Sequence, residues 1–379
     1  METNPASTKT LEPQKDATGR IVAVDVLRGF DMFWLIGGTG FGIAIARLIG
    51  GKWGTFFENQ FEHTPWAGFT FYDLIFPLFV FLVGMSLVFS LEKRLKSGGI
   101  WSAYRRLLPR AIFLYLMGIV YYGGLRNEWP DIRLLGVLQR LALCYFFAGV
   151  LFIHLRPRGL VAACLFFLIG YWALLSFVPV PGTGQTSFEE HANWAWYVDK
   201  HFLPGHKHSG DYDPEGLLST IPAVASCLLG VFAAFLIRTN ALTPWRKTAL
   251  FLGGGACLVA LGHLWGLQFP VIKRIWTSSY VLVAGGYSFA LLGFFYLLTD
   301  VFGLQKWAQP LVWIGMNPLT IYMARNIVDF NALASRFVGG DVQKFAGEHW
   351  GYLLHTSVSL ALAMLVVWFL YRKKIFLRL

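Results

Sequence analysis

Apolar residues run along this chain in long blocks, neither alternating as in strands nor confined to one helical stripe, and polar residues collect between the blocks. Windows of roughly 20 apolar residues, enough to cross a bilayer as helix, fall near 22–48, 70–91, 107–123, 133–154, 159–179, 217–237, 248–266, 276–299, 309–324 and 351–371. The pattern predicts an all-α fold: a polytopic integral membrane bundle of about ten transmembrane helices. One transmembrane domain is expected over 21–379, preceded by a disordered polar tail, 1–20. The apolar run after that tail carries charges and lacks a small-residue cleavage pattern, so the first span is expected to persist in the mature protein.

Loop charge sets the expected orientation. The segment from Glu92 to Arg110 holds Lys93, Arg94, Lys96, Arg105, Arg106 and Arg110, and the positive-inside rule assigns such a loop to the cytoplasm. Alternation then puts both termini inside, with 19 Lys and Arg on the cytoplasmic side and 11 opposite. Three outward segments, 49–69, 180–216 and 325–350, are long enough to build a site.

Composition agrees with lipid as the solvent. Of 379 residues, 56% are hydrophobic and 14% charged, against about 25% charged in soluble proteins. The net charge of +11 is spread through the loops, so it reports topology and no nucleic-acid partner is expected. Cys144, Cys164, Cys227 and Cys257 lie singly in apolar runs and read as packing residues. The outer histidines His191, His201, His206 and His208 are too loosely spaced to imply a metal site, and none is expected. The glycines at 37, 38, 40, 42 and 253–255 suit close helix packing. No internal repeat of the kind built into many carriers is visible.

Ionisable groups within spans cost about 2.5–3.5 kcal/mol each and normally face a protein interior or a polar cavity. Asp25, Arg28 and Asp31 share one face of the first span, where Arg28 can pair with either carboxylate. Arg140, beside Gln139 in the fourth span, needs an acceptor, either a carboxylate or a ligand phosphate. His63 lies just ahead of the second span, where its imidazole can serve as base or nucleophile. Thr70 and Asp73 have capping-box spacing, so Asp73 reads either as a helix cap or as a partner for His63. Asp213 and Glu215 flank Pro214 before the sixth span, as an ordinary acidic helix start or as holders of an ammonium or sugar hydroxyls. Met316-Asn317-Pro318 puts a proline within the ninth span, which reads mostly as a kink and frees backbone carbonyls that Asn317 or a ligand could satisfy.

Taken in order, several blocks carry a resemblance: Asp25 to Gly29, HTPWAGFTFYDLIFPLFVFLVG from His63, GVLQRL from Gly136, YDPEGLLSTI from Tyr212, WTSSYV from Trp276, GMNP from Gly315 and YRKKIF from Tyr371. From about Arg20 to the C-terminus the chain resembles the heparan-α-glucosaminide N-acetyltransferase family of transmembrane acetyltransferases. The resemblance implies an acyltransferase that moves acetyl from cytoplasmic acetyl-coenzyme A to the amine of a glucosamine-type sugar across the membrane, with His63 in the position of the family's active-site histidine. Lysosomal members carry a lumenal domain ahead of the first matching span and Asn where this chain has Ala67. The compact form looks bacterial, which implies a multi-pass protein of the inner membrane with the His63 loop facing the periplasm.

On this reading His63 and Asp73 are the catalytic candidates, acting by direct amine attack or through an acetylated imidazole. Arg28, Arg140, Arg105 and Arg106 are candidates for the coenzyme phosphates, Ser279 and Asn317 for polar contacts along an apolar passage, and Asp213 and Glu215 for the amino sugar. The rival class is an amino-sugar transporter that performs no chemistry. Spans rich in aromatic residues are compatible with a homodimer.

Overall fold

The computed structural model describes residues 21–376; the predicted tail 1–20 lies outside the described residues. The described chain is helical throughout, with no strand and one isolated bridge, between Ala67 and Ile272. Its elements are α1 (Val22–Phe33), α2 (Thr39–Ile49), α3 (Gly51–Gln60), α4 (Phe71–Tyr121), α5 (Val137–His154), α6 (Pro157–Phe177), α7 (Trp194–Phe202), α8 (Thr220–Arg238), α9 (Pro244–Gly266), α10 (Ser278–Tyr296), α11 (Gln309–Met316), α12 (Pro318–Ile327), α13 (Phe330–Val338), α14 (Asp341–Ala346) and α15 (Glu348–Arg372). Eight helices among the described residues are long and apolar enough to cross a membrane. This is a multi-pass membrane protein.

The predicted windows and the eight long helices differ in number for two local reasons. First, α4 contains two of the windows. In a straight helix Asp73 and Tyr121 would stand about 70 Å apart, yet both line one cavity. The chain therefore doubles back inside the run, at Gly98 (φ −151°, ψ 15°) and Gly99 (φ 66°, ψ −164°), where the helical dihedrals fail and the second glycine takes a left-handed φ. Second, the window 309–324 is split: Asn317 (φ −134°, ψ 45°) ends α11, and Pro318 begins α12. Neither half alone is long enough to span, and the two run through the bundle as one broken helix: Gly315 of α11 packs on Asp25, and Asn326 of α12 bonds the Tyr121 carbonyl at the end where the cavity opens.

Glycines bring helix backbones into direct contact, as the lack of a hydrophobic drive inside lipid requires. A Cβ on Gly84 would stand 1.9 Å from the Cys227 carbonyl oxygen and one on Gly230 1.9 Å from that of Phe81, so α4 and α8 touch reciprocally. Gly29 with Leu311 and Gly315 with Asp25 join α1 to α11 in the same way. Of the triplet at 253–255 only Gly255 packs, against Gly286 on α10, while Gly253 and Gly254 face open space. Cys144, Cys164 and Cys227 are buried, Cys257 is exposed on α9, and all four are free thiols.

Candidate active site

At the end of the bundle where α4 begins, a cavity of about 790 Å³ opens between four segments: the loop before α4, the 122–133 connection, the 206–215 loop and the turn before α10. On its α4 wall stand Tyr72, Asp73, Ile75, Phe76 and Phe79, at the spacing of one helical face. Met32 and Leu35 of the first span and Leu138 of α5 add to this apolar wall. The cavity thus has a polar mouth and an apolar throat that runs inward along α4.

The loop before α4 is anchored on both sides. The Gly68 N–H donates to the Val271 carbonyl at 2.8 Å, across the Ala67–Ile272 bridge, and Gly68 needs its φ of 128°. Trp66 Nε1 donates to the Phe188 carbonyl at 3.0 Å. These ties hold His63 over the start of α4, where its ring stacks on Tyr72 with centroids 4.6 Å apart.

Asp73 performs both of the roles its spacing allowed, one with each oxygen. Oδ2 accepts from the Thr70 N–H (3.3 Å) and hydroxyl (3.1 Å) and from the Thr64 N–H (3.3 Å) and hydroxyl (3.0 Å), capping the helix and fixing the loop. Oδ1 lies 2.8 Å from His63 Nδ1. A carboxylate only accepts, so Nδ1 carries the hydrogen of this contact. The carboxylate is fully buried while the imidazole is 53% exposed, so the ring is held from behind and accessible in front. Tyr280 of α10 donates its hydroxyl to the Asp73 carbonyl at 2.8 Å, tying the same residue to the next wall.

Lys273 closes the group. Its ammonium is 3.3 Å from Asp73 Oδ1 and 3.0 Å and 3.4 Å from His63 Nδ1 and Nε2. Burial pulls its pKa below the ordinary lysine value, against the opposing pull of Asp73. Sequence reasoning counted Lys273 only as a loop charge; its position three residues ahead of the WTSSYV block was the available signal.

Opposite His63 stands an acidic pair. Arg133 forks onto Asp213, Nε to Oδ2 at 2.8 Å and Nη2 to Oδ1 at 2.7 Å, and its Nη2 also reaches Glu215 at 2.8 Å. The guanidinium lies 4.4 Å over the Tyr122 ring. Burial alone would raise the Asp213 carboxyl, but the Arg133 bonds hold it below the usual range. Burial beside Asp213 raises Glu215. Both predicted acids bond Arg133, but only Glu215 lines the cavity; Asp213 is fully buried beneath the guanidinium fork. Arg133 was the second residue the sequence did not single out.

The other predicted residues scatter. Arg140 is fully buried behind Trp276, 4.9 Å from its ring, and donates to the Gly216 carbonyl at 3.2 Å and to the Ser219 hydroxyl. Its Nε and Nη1 have no partner, and it meets neither a carboxylate of the first span nor the end of the bundle where Arg105 lies. Arg28 pairs with Asp25 (3.1 Å) and not with Asp31, and also donates to the Gly315 carbonyl and to Ser86 at 3.0 Å. Ser86 is seven residues past Phe79 on α4, so Arg28 stands on the inward continuation of the apolar throat. Asp31 is buried, and neither of its oxygens is hydrogen-bonded among the described residues. Ser279 joins Thr277 and the Pro270 carbonyl in the network that starts α10, and Asn317 sits buried at the α11–α12 break. Arg105 and Arg106 follow Gly98–Gly99, at the opposite end of the bundle from His63. His206 and His208 line the cavity, whereas His191 pairs with Asp211.

A family model described as the catalytic region of heparan-alpha-glucosaminide N-acetyltransferase matches residues 20–257. The human heparan-alpha-glucosaminide N-acetyltransferase is 29% identical over 418 aligned residues, covering 94% of this chain and 59% of that protein. Its mouse counterpart is 27% identical over 423, covering 96% and 61%. The chain thus spans about three fifths of the length of the curated relatives it matches. The matched segment includes His63, Asp73, Arg133, Asp213 and Glu215.

Proposed function

The chain belongs to the heparan-alpha-glucosaminide N-acetyltransferase family, and from that premise we propose that it is a transmembrane acetyltransferase passing acetyl from acetyl-coenzyme A to the amine of a glucosamine-type sugar. The observation that carries this reading is the His63–Asp73 pair at the mouth of an apolar-throated cavity, its imidazole half exposed and Glu215 lining the same cavity. A carboxylate there suits an amine that arrives as an ammonium and gives its first proton to solvent, and His63 suits the task of removing the second as nitrogen attacks.

In the direct route, Glu215 holds the amine and the His63 Nε2 takes one of its protons as nitrogen attacks the thioester carbon. The C–N bond forms, the C–S bond breaks, and the proton passes from His63 to the leaving sulfur. Asp73 keeps the Nδ1 proton in place and steadies the imidazolium, the role of the carboxylate in a catalytic triad. The throat from Tyr72 to Phe79 suits the pantetheine arm, Arg28 lies along its continuation, and Arg105 and Arg106 are placed for the nucleotide phosphates at the far end. Arg140 supports the acceptor side of the cavity, not the phosphates. Loop charge supports an orientation with both termini cytoplasmic and His63 on the opposite side, the periplasmic side if the membrane is a bacterial inner membrane.

His63→Ala should abolish acetyl transfer to glucosamine while leaving the protein folded, because the imidazole is half exposed; transfer near the wild-type rate in a folded variant would refute the histidine mechanism. Glu215→Gln should raise KM for the amine more than it lowers kcat. Orientation is tested by impermeant labelling of intact cells: Thr64→Cys should react and Ser97→Cys should not, and the reverse pattern would invert the topology.

A further inference from the structure

We propose that Lys273 is a catalytic residue of this site, donating an N–H to the acyl oxygen as negative charge develops there; this rests on the acetyl-transfer reading above. Three observations carry it. The first is position. The ammonium is 3.0 Å and 3.4 Å from the two ring nitrogens of His63, and since the outward in-plane directions of the two nitrogens diverge, it lies along neither. It therefore stands beside the imidazole, where an N–H can be turned to the oxygen of an acyl group presented to His63, as an oxyanion donor must.

The second is redundancy. Asp73 accepts from His63, from two N–H groups and from two hydroxyls without Lys273. Its contact to Lys273 is longer, at 3.3 Å, than its contact to His63, so the cap and the loop do not depend on the lysine.

The third is the backbone that aims the side chain. Residues 270–277 form a turn in which the Trp276 N–H donates to the Lys273 carbonyl at 2.9 Å, and the Ile272 N–H donates to the Thr277 hydroxyl at 3.0 Å. Trp276 takes φ 53°, a left-handed value unfavourable for a bulky side chain. Its indole is buried, bonded to Ser226 and backed by Arg140, which holds that conformation in place. Strain of this kind persists only where the surroundings over-determine it, as they commonly do at active sites.

The step balances without further reactants. As the amine nitrogen bonds to the carbonyl carbon, the π pair moves to oxygen and is met by the Lys273 N–H. When the C–S bond breaks the pair returns, and Lys273 keeps its proton throughout.

Kinetics and acylation of Lys273→Met and Lys273→Arg test this. In Lys273→Met, kcat should fall about 100- to 1000-fold, with the melting temperature and the acetyl-coenzyme A Kd unchanged. Lys273→Arg keeps a cation opposite Asp73 and so should fold, yet its longer planar group should leave kcat at least about tenfold down. A kcat within threefold of wild type in either folded variant, or a loss matched by a fall in melting temperature, overturns the proposal. Diethyl pyrocarbonate supplies a readout independent of acetyl transfer: acylation of His63, followed by peptide mass spectrometry, should be at least about tenfold slower in Lys273→Met than in wild type. Equal or faster acylation overturns the proposal even if wild type transfers no acetyl, whereas slower acylation with no acetyl transfer in wild type would reject the function and retain the lysine's role.

Discussion

Asp199 Oδ2 occupies the space a side chain would need at Gly216: a Cβ there would lie 1.8 Å from that oxygen. The same carboxylate accepts from the Leu217 N–H at 2.9 Å and the Asp213 N–H at 3.3 Å, so it secures the stretch that carries Glu215 into the cavity. Gly216→Ala must displace one of them. Overpacking of this kind costs about 1–3 kcal/mol, and thermal unfolding in detergent should show the loss together with a raised KM for the amine.

Burial pushes the Asp199 carboxyl up to about 6, against its two backbone donors. Its folded pKa therefore lies above the unfolded one, and folding favours the protonated form. The stability this contributes is complete below about pH 4 and is lost as pH rises through 6, a difference of roughly 3 kcal/mol at 1.4 kcal/mol per pKa unit. Melting temperature measured from pH 4 to 7 should carry this downward component in wild type and lack it in Asp199→Asn.

Because Asp73 serves His63 with one oxygen and the helix start with the other, substitution can separate the two roles. Asp73→Asn keeps an acceptor for Thr64 and Thr70 but offers His63 an amide that can impose the wrong tautomer. Activity should fall by about three to four orders of magnitude. Stability should change by no more than the ~1 kcal/mol typical of a cap. A folded Asp73→Asn variant with near-normal kcat would show that the pair is only a helix cap with an adjacent histidine.

The two buried arginines should behave differently. Arg133 neutralises two carboxylates, and Arg133→Met leaves Asp213 and Glu215 facing each other unpaired, at about 3–5 kcal/mol. Arg140 meets a carbonyl and a hydroxyl and, among the described residues, no carboxylate, and its acceptor, the Gly216 carbonyl, also receives the Thr220 hydroxyl at 2.7 Å. Arg140→Met should therefore melt within a few degrees of wild type while Arg133→Met unfolds far earlier. Equal losses would mean that Arg140 compensates Glu215 and Asp199 at a distance.

Burial of apolar surface in lipid depends on composition over a window of about twenty residues, which is why the all-α membrane fold and most helix positions were legible from the sequence alone. His63 and Asp73 were legible too, because ten residues of chain across a loop and a helix start leave them little room to separate. What only the tertiary structure decided is which distant charges meet. Arg133 finds Asp213 across 80 residues and Lys273 finds His63 across 210, and no local pattern encodes such pairings. Spacing alone allowed Arg28 to meet Asp25, but residue type could not choose between Asp25 and Asp31 or name the partners of Arg140 and Ser279. A guanidinium bonds equally well to a phosphate, a carboxylate or a carbonyl, so the folded backbone around it selects the partner: Asp25 and Ser86 for Arg28, Gly216 and Ser219 for Arg140.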